Sequence, residues 1–223
     1  MSEAVRPNVG ADLLRIHRAL TRGIQVSLQQ GASFEQEGFP SPEVREGYLL
    51  YLKAMKGVLD AHHLTEEEIT FPAMREKTPN VPFDKLLADH RAIVDVLEAL
   101  EPAAEAATAD GAQADALHEL NGILGRLSRL WYPHIAKEES FWNPETIAAL
   151  LSEEENLAIG RRTGEDSQKH LHAPAVELPF LLYNLEPEDR AIMMKPMPPA
   201  VTQELIPVAW REQWAPMKPF LLE

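Results

Sequence analysis

From Asp12 onward, Leu13, Ile16, Leu20, Ile24 and Leu28 recur at intervals of three and four, the spacing of one helical face. His17 falls on that face. The run is expected to end near Gly31, ahead of the loop Gly38-Phe39-Pro40-Ser41-Pro42. A second helix is predicted from Pro42 to Lys77. Stepped at about 100° per residue, Tyr48, Leu52, Met55, Leu59, His62, Glu66, Ile69 and Ala73 form its stripe. His63 and Glu67 fall toward the edge, so this register favours His62 and Glu66 as the inward pair.

Thr78-Pro79-Asn80-Val81-Pro82 breaks the chain. A third helix follows with Leu86, Leu87, His90, Ile93, Val94, Leu97 and Leu100 on one face. The Ala/Glu/Asp-rich stretch 101–115 reads as a helix end and loop. The fourth helix carries Leu120, Ile123, Leu124, Leu127, Trp131, His134, Glu138 and Phe141, and Pro133 is expected to kink it because it has no N–H for the ladder. His118 points to the opposite, solvated face. Beyond it, Ser152-Glu153-Glu154-Glu155 has the form of a capping box opening a helix to about Gln168. A Pro-rich tail then holds three short candidate helices, near 176–184, 187–195 and 198–213, with Pro187 and Pro199 at helix starts. Phe180, Trp210, Trp214 and Phe220 give the tail apolar surface with which to dock.

The pattern contains a repeat. Leu13-Leu-Arg-Ile-His-Arg-Ala-Leu20 matches Leu86-Leu-Ala-Asp-His-Arg-Ala-Ile93, and the histidines His17 and His62 stand 45 positions apart, His90 and His134 44 apart. Aligning Pro72 with Pro144 pairs His62 with His134 and Glu66 with Glu138. The chain reads as two copies of one helical hairpin, each with a lone His on its first helix and His-x-x-x-Glu on its second. Two such hairpins predict an all-α, up-and-down four-helix bundle over residues 11–151. Residues 1–10 are a lead-in, and residues 152–223 a helical, Pro-rich extension packed on the bundle.

Composition narrows the function. The chain of 223 residues is long enough for one core with an appendage or two small domains. A net charge of −14 disfavours nucleic acid and anionic membrane surfaces. No apolar run approaches the ~20 residues that cross a bilayer, and no signal-peptide segment opens the sequence. With no cysteine, disulfides, thiolate metal sites and cysteine catalysis are excluded; a cytoplasmic location fits.

Four histidines and two glutamates on inward stripes need a physical reason. One histidine on an apolar face is more often a hydrogen-bonded core residue, but six groups at repeated positions point to metal. A buried carboxylate must be paired or ligated, and a buried imidazole wants partners for both nitrogens. Residues four apart on a helix face the same way, so His62 with Glu66 and His134 with Glu138 each reach one centre. Adding His17 and His90 gives four nitrogens and two carboxylates able to bridge, a set that suits two ions better than one. Imidazole with carboxylate accommodates iron, manganese or zinc, and the His-Glu-x-x-His pattern of zinc peptidases is absent. His63 is open between an additional ligand, an outer donor and a surface residue. Glu67, Glu68 and Glu139 read as a solvated face or as acceptors that orient a ligating histidine. His170 and His172 read as surface residues, unless the tail folds over one end and His170 closes a metal site.

These residues resemble the hemerythrin-like, or HHE cation-binding, family over about residues 10–150. The resemblance rests on His62-x-x-x-Glu66-Glu67 ending in Phe71-Pro72, its counterpart at His134, and the isolated His17 and His90. It implies a left-twisted four-helix bundle around a non-haem di-iron centre with two carboxylate bridges and an oxygen species. By motif, the ligands are His17, His62, Glu66, His90, His134 and Glu138. The implied ligands of the centre are dioxygen, peroxide or nitric oxide, in a binding or sensing role or in an oxidase or peroxide-consuming one, with an unidentified redox partner. The chain departs from the oxygen carriers of the family in two places. Their third helix supplies a second histidine one turn on, where Val94 stands here. Their last helix uses a carboxylate five residues after its histidine, whereas Glu138 comes four after. The tail (Leu178–Asn184 and Trp210–Pro219) is similar to the C-terminal part of some longer hemerythrin-like proteins.

Overall fold

The computed structural model describes residues 8–112 and 114–222, and every element among them is helical. Most of the expected lead-in, residues 1–7, lies outside the described residues. Helix α1 runs Val9–Glu37. Asn8 caps it, its side chain accepting from the Ala11 N–H at 3.0 Å, and Gly38 ends it in the left-handed region at φ 78°. The helix thus passes Gly31, where its end was expected. Gly31 is a close-approach position: a Cβ there would collide with Asn121 Oδ1 and the Tyr48 hydroxyl.

Helix α2, Pro42–Thr65, starts from a Ser41 cap with Pro42 in the first turn. The stretch predicted to continue it to Lys77 is broken into a π-helical turn, Glu66–Thr70, and a short helix α3, Phe71–Arg75. The Phe71 N–H bonds to the carbonyl five residues back, on Glu66, so one extra residue enters the turn. This shifts the register. Phe71 and Met74 are buried, while the expected Ile69 and Ala73 are only half-buried.

Helix α4, Phe83–Thr108, continues through Pro102 rather than ending near 101. An interior proline costs about 3 kcal/mol, but Leu100, Ala103, Ala104 and Ala107 stay buried across it, on a helix packed along α5. Helix α5 spans Ala114–Phe141 and carries Pro133 within it. After it comes α6, Pro144–Leu150, which the periodicity did not reveal. The four long helices close a ring of contacts, α1 on α2, α2 on α4, α4 on α5 and α5 on α1.

Helix α7, Glu153–His170, opens with the expected capping box: Ser152 and Glu155 exchange side chain-to-backbone bonds. Then follow α8 (Pro174–Tyr183), α9 (Pro187–Met194), a π-helical segment Ala200–Ala209, α10 (Arg211–Trp214) and a 3-10 helix Ala215–Phe220. The tail aromatics enter the core. Phe180 is fully buried against Tyr51, and Phe220 packs on Tyr48 and Tyr51; Trp214 is buried and Trp210 partly so. Glycines of α1 and α2 make room for this. A Cβ at Gly23 would meet the Phe180 ring, at Gly47 the Pro216 carbonyl, and at Gly57 the Glu177 carboxylate.

Buried apolar side chains form two clusters. The larger runs from Leu20 and Tyr48 to Trp131, and the smaller gathers Leu13, Phe71, Phe83, Leu86 and Trp142. No helix among the described residues is long and apolar enough to cross a membrane.

Candidate metal centre

Between the two apolar clusters lies a polar one. Trp131 belongs to the larger, and its ring centroid lies 5.6 to 6.2 Å from those of His17, His62, His63 and His134. Phe71 belongs to the smaller and stacks on His90 at 5.3 Å. The layer they enclose contains all six residues that the sequence singled out. His17 comes from α1, His62 from α2, Glu66 from the π-helical turn, His90 from α4, and His134 and Glu138 from α5. None is more than 7% exposed.

Their ligand atoms fall into two groups that share both carboxylates. One comprises His17, His62, Glu66 and Glu138; the other comprises Glu66, His90, His134 and Glu138, with the ligand atoms of each group within 4.8 Å of one another. Nε2 of His17 and of His134 each lie 3.4 Å from Glu138 Oε2, while Nε2 of His90 lies 3.4 Å from Glu66 Oε2 and 3.6 Å from Glu138 Oε1. Nε2 of His62 lies 3.6 Å from Glu66 Oε2.

The back of each lone histidine is held by the glutamate that follows a central one. His17 Nδ1 bonds Glu139 at 2.9 Å, and His90 Nδ1 bonds Glu67 at 2.8 Å. With Nδ1 committed to a carboxylate, Nε2 is turned into the layer as an acceptor of whatever binds there. Of the roles left open for Glu67 and Glu139, the structure places both as orienting acceptors.

The layer is short of hydrogen bonds. Nε2 of His17, His62 and His90, both nitrogens of His63 and His134, and all four oxygens of Glu66 and Glu138 are buried with no hydrogen-bond partner. Each such group costs about 1–3 kcal/mol, so together they rival the ~5–15 kcal/mol that holds a domain folded. Cations bound among these nitrogens and carboxylates would remove that cost, and the donor set fits a metal ion.

Protonation in the metal-free chain follows the same geometry. Burial opposes charge on His17, but the approach of Glu138 and the bond to Glu139 outweigh it and push His17 up to about 9. Burial likewise opposes charge on His90, and Glu138 and Glu66 push it up to about 10. Burial, then the charge on Glu138, pushes Glu66 up to about 7. Against its own burial, Glu138 is held low by His17 and His90. His134 is driven down to about 4 by burial, and His62 and His63 fall well below the ordinary histidine value for the same reason and through their cationic neighbours.

The family model of the hemerythrin HHE cation-binding domain matches residues 9–145, well over half of the chain. This chain belongs to that family. No curated protein and no solved structure matches it. The hemerythrin domain is a cation-binding one, and the buried His/Glu cluster fits a metal site.

One further histidine sits elsewhere than the helical stripe suggested. His63 was placed at the stripe edge, yet it is 2% exposed and forms a group with His90 and His134; the surface role is overturned. Helix α2 is covered by α7 and α8 as well as by α1 and α4, so its buried face is wider than one stripe. His170 does not join the hemerythrin centre. It lies 3.2 Å from Asp166 and 3.5 Å from Glu68, where it ties α7 to the π-helical turn. His172 and His118 are exposed, and His118 pairs with Glu35.

Proposed function

We propose that this protein is an up-and-down four-helix bundle carrying a non-haem di-iron centre that binds, senses or reacts with dioxygen, peroxide or nitric oxide. One observation carries the reading: two ligand groups of four share both Glu66 and Glu138. One ion would leave part of this set unused, whereas two ions bridged by both carboxylates use all of it. When bound, a reduced iron pair supplies electrons to a small oxidant from within the protein.

The chain's own side chains set the conditions. His17 and His62 would hold one ion and His90 and His134 the other, with Glu66 and Glu138 available to both. Glu139 and Glu67 fix the ring orientation of His17 and His90 from behind. Trp131 and Phe71 close the layer on two sides and keep bulk water from it, which strengthens every charge interaction inside. Manganese or zinc would satisfy the same donors.

A second reading, an oxidase or peroxide-consuming enzyme, is favoured by Val94. It stands one turn after His90 and offers no donor. Elemental analysis of protein purified without added metal tests the whole proposal. Two irons per chain are expected; less than one metal, or zinc alone at full occupancy, overturns it. A reversible spectral change with dioxygen and no turnover with peroxide would eliminate the enzyme reading.

A further inference from the structure

The outward face of α5 carries a pattern that the bundle does not use. Asp115, Glu119, Gly122, Arg126 and Arg129 follow one another at intervals of four, three, four and three, which sets them in one stripe along the helix. All five are exposed, and among the described residues none of the four charged side chains makes an ion pair. Beside the stripe runs a groove of about 640 Å³, lined by Ala99, Ala103 and Ala106 of α4 and Ile123 of α5.

In the repeat, Glu119, Gly122, Arg126 and Arg129 correspond to Gly47, Leu50, Ala54 and Gly57 of α2. That stripe is a contact surface, with the tail lying on Gly47 and Gly57. The α5 stripe has the same place on its hairpin, but charge replaces apolar surface and the chain supplies no cover. A glycine inside an exposed helix is destabilising relative to alanine, and its use is to let another backbone approach closely. Within the single chain nothing comes near Gly122.

The charges identify the missing neighbour. Turned end for end about Gly122, the stripe complements itself. Asp115 comes opposite Arg129 of a second copy, and Glu119 opposite Arg126 to within one residue's rise of about 1.5 Å. A two-fold axis repeats both pairs, so every charge in the stripe meets an opposite one. We propose that this face of α5 is a docking surface for a second copy of the chain, in an antiparallel two-fold dimer with α5 crossing α5 at Gly122. Parallel alignment is suppressed, because acid would then face acid and arginine face arginine.

Sedimentation equilibrium of the full chain tests this. Wild type is expected to rise from the single-chain mass of 25.0 kDa toward twice that mass as its concentration is raised from micromolar to millimolar. Two double variants each reverse half of the stripe: Arg126→Glu with Arg129→Glu makes it wholly acidic, and Asp115→Arg with Glu119→Arg wholly basic. Each is expected to self-associate at least about a hundredfold more weakly, although the second relieves the overall negative charge by which two copies repel. An equimolar mixture of the two is expected to regain the dimer mass, because every acid again meets an arginine. Wild type that stays at 25.0 kDa up to about 1 mM overturns the proposal. So does a dimer that survives in both double variants, or a mixture that stays dissociated. Circular dichroism checks that the variants fold. If Asp115→Arg unsettles the first turn of α5, where an acid suits the helix dipole, Glu119→Arg and Arg126→Glu are used singly, with the same outcomes. A methyl group at Gly122 would act on the crossing and not on the single chain, so the fold stability of Gly122→Ala is read in dilute solution, where the dimer is dissociated.

Discussion

On the first hairpin, Gly47 and Gly57 of α2 lie directly beneath the C-terminal tail, against Pro216 and Glu177. In the repeat the same places on α5 hold Glu119 and Arg129, which border an open groove between α4 and α5. The inward faces of the two hairpins barely differ: lone histidine, His-x-x-x-Glu, and a following glutamate that holds the opposite hairpin's histidine. The repeat has kept what the centre's chemistry requires and diverged where one copy gained a cover.

The sharpest way to break this comparison is at the shared carboxylates. Glu66→Ala and Glu138→Ala each remove a donor common to both ligand groups. Each is expected to reduce iron loading by more than about a hundredfold for both ions, beyond the 10–100-fold typical of an outer-shell loss. Calorimetric or spectroscopic metal titration measures it. A variant that still holds two irons at wild-type affinity would show that its carboxylate is not a bridge.

Next come the two orienting glutamates. Glu67→Gln and Glu139→Gln keep the shape but weaken the hold on His90 and His17, and a loss of about 10–100-fold in metal affinity is expected for each. The comparison demands losses of similar size. Glu67 sits in a π-helical turn and Glu139 in regular helix, so a much larger loss at one would mean that the turn itself sets the centre's geometry.

How much of this was legible in the sequence follows from how local each signal is. The six candidate residues lie on stripes of regular period, so helical spacing was enough to bring them to one layer. The π-helical turn was not legible, because an inserted residue leaves no compositional mark; it surfaces only as the burial of Phe71 and Met74 in place of Ile69 and Ala73. Gly31 and the Ala/Glu/Asp-rich stretch 101–115, which contains Pro102, read as helix ends by local chemistry. Each is overridden by packing, Gly31 by the approach of Asn121 and Tyr48, and Pro102 by the buried alanines around it. His63 needed the tertiary contacts: its ring is buried against His90 of α4 and His134 of α5, which no periodicity within α2 encodes.

The tail-covered face gives a smaller, structural effect. Gly47→Ala sets a methyl group against the Pro216 carbonyl, a backbone atom that has little freedom to retreat. Overpacking of this kind costs about 1–3 kcal/mol, against which the better helix propensity of alanine returns up to about 1 kcal/mol. The 2.0 Å approach to a backbone oxygen puts the cost at the upper end of that range, so urea unfolding should show a net loss of about 2 kcal/mol. A neutral result would mean that the tail is not seated on α2 as described.

The same substitution on the open hairpin should do the opposite. Gly122 lies inside α5, exposed on the groove side, and a Cβ built there meets nothing within 4 Å. Its backbone is not in the left-handed region, where alanine would be strained. Nothing offsets the entropy that alanine removes from the unfolded chain, so Gly122→Ala is expected to stabilise by about 0.5–1 kcal/mol. For a chain of this size that is a rise of about 1–4 °C in Tm. The sign carries the test: glycine to alanine lowers stability under the tail and raises it beside the groove, and a loss at Gly122 would mean that this face is covered too.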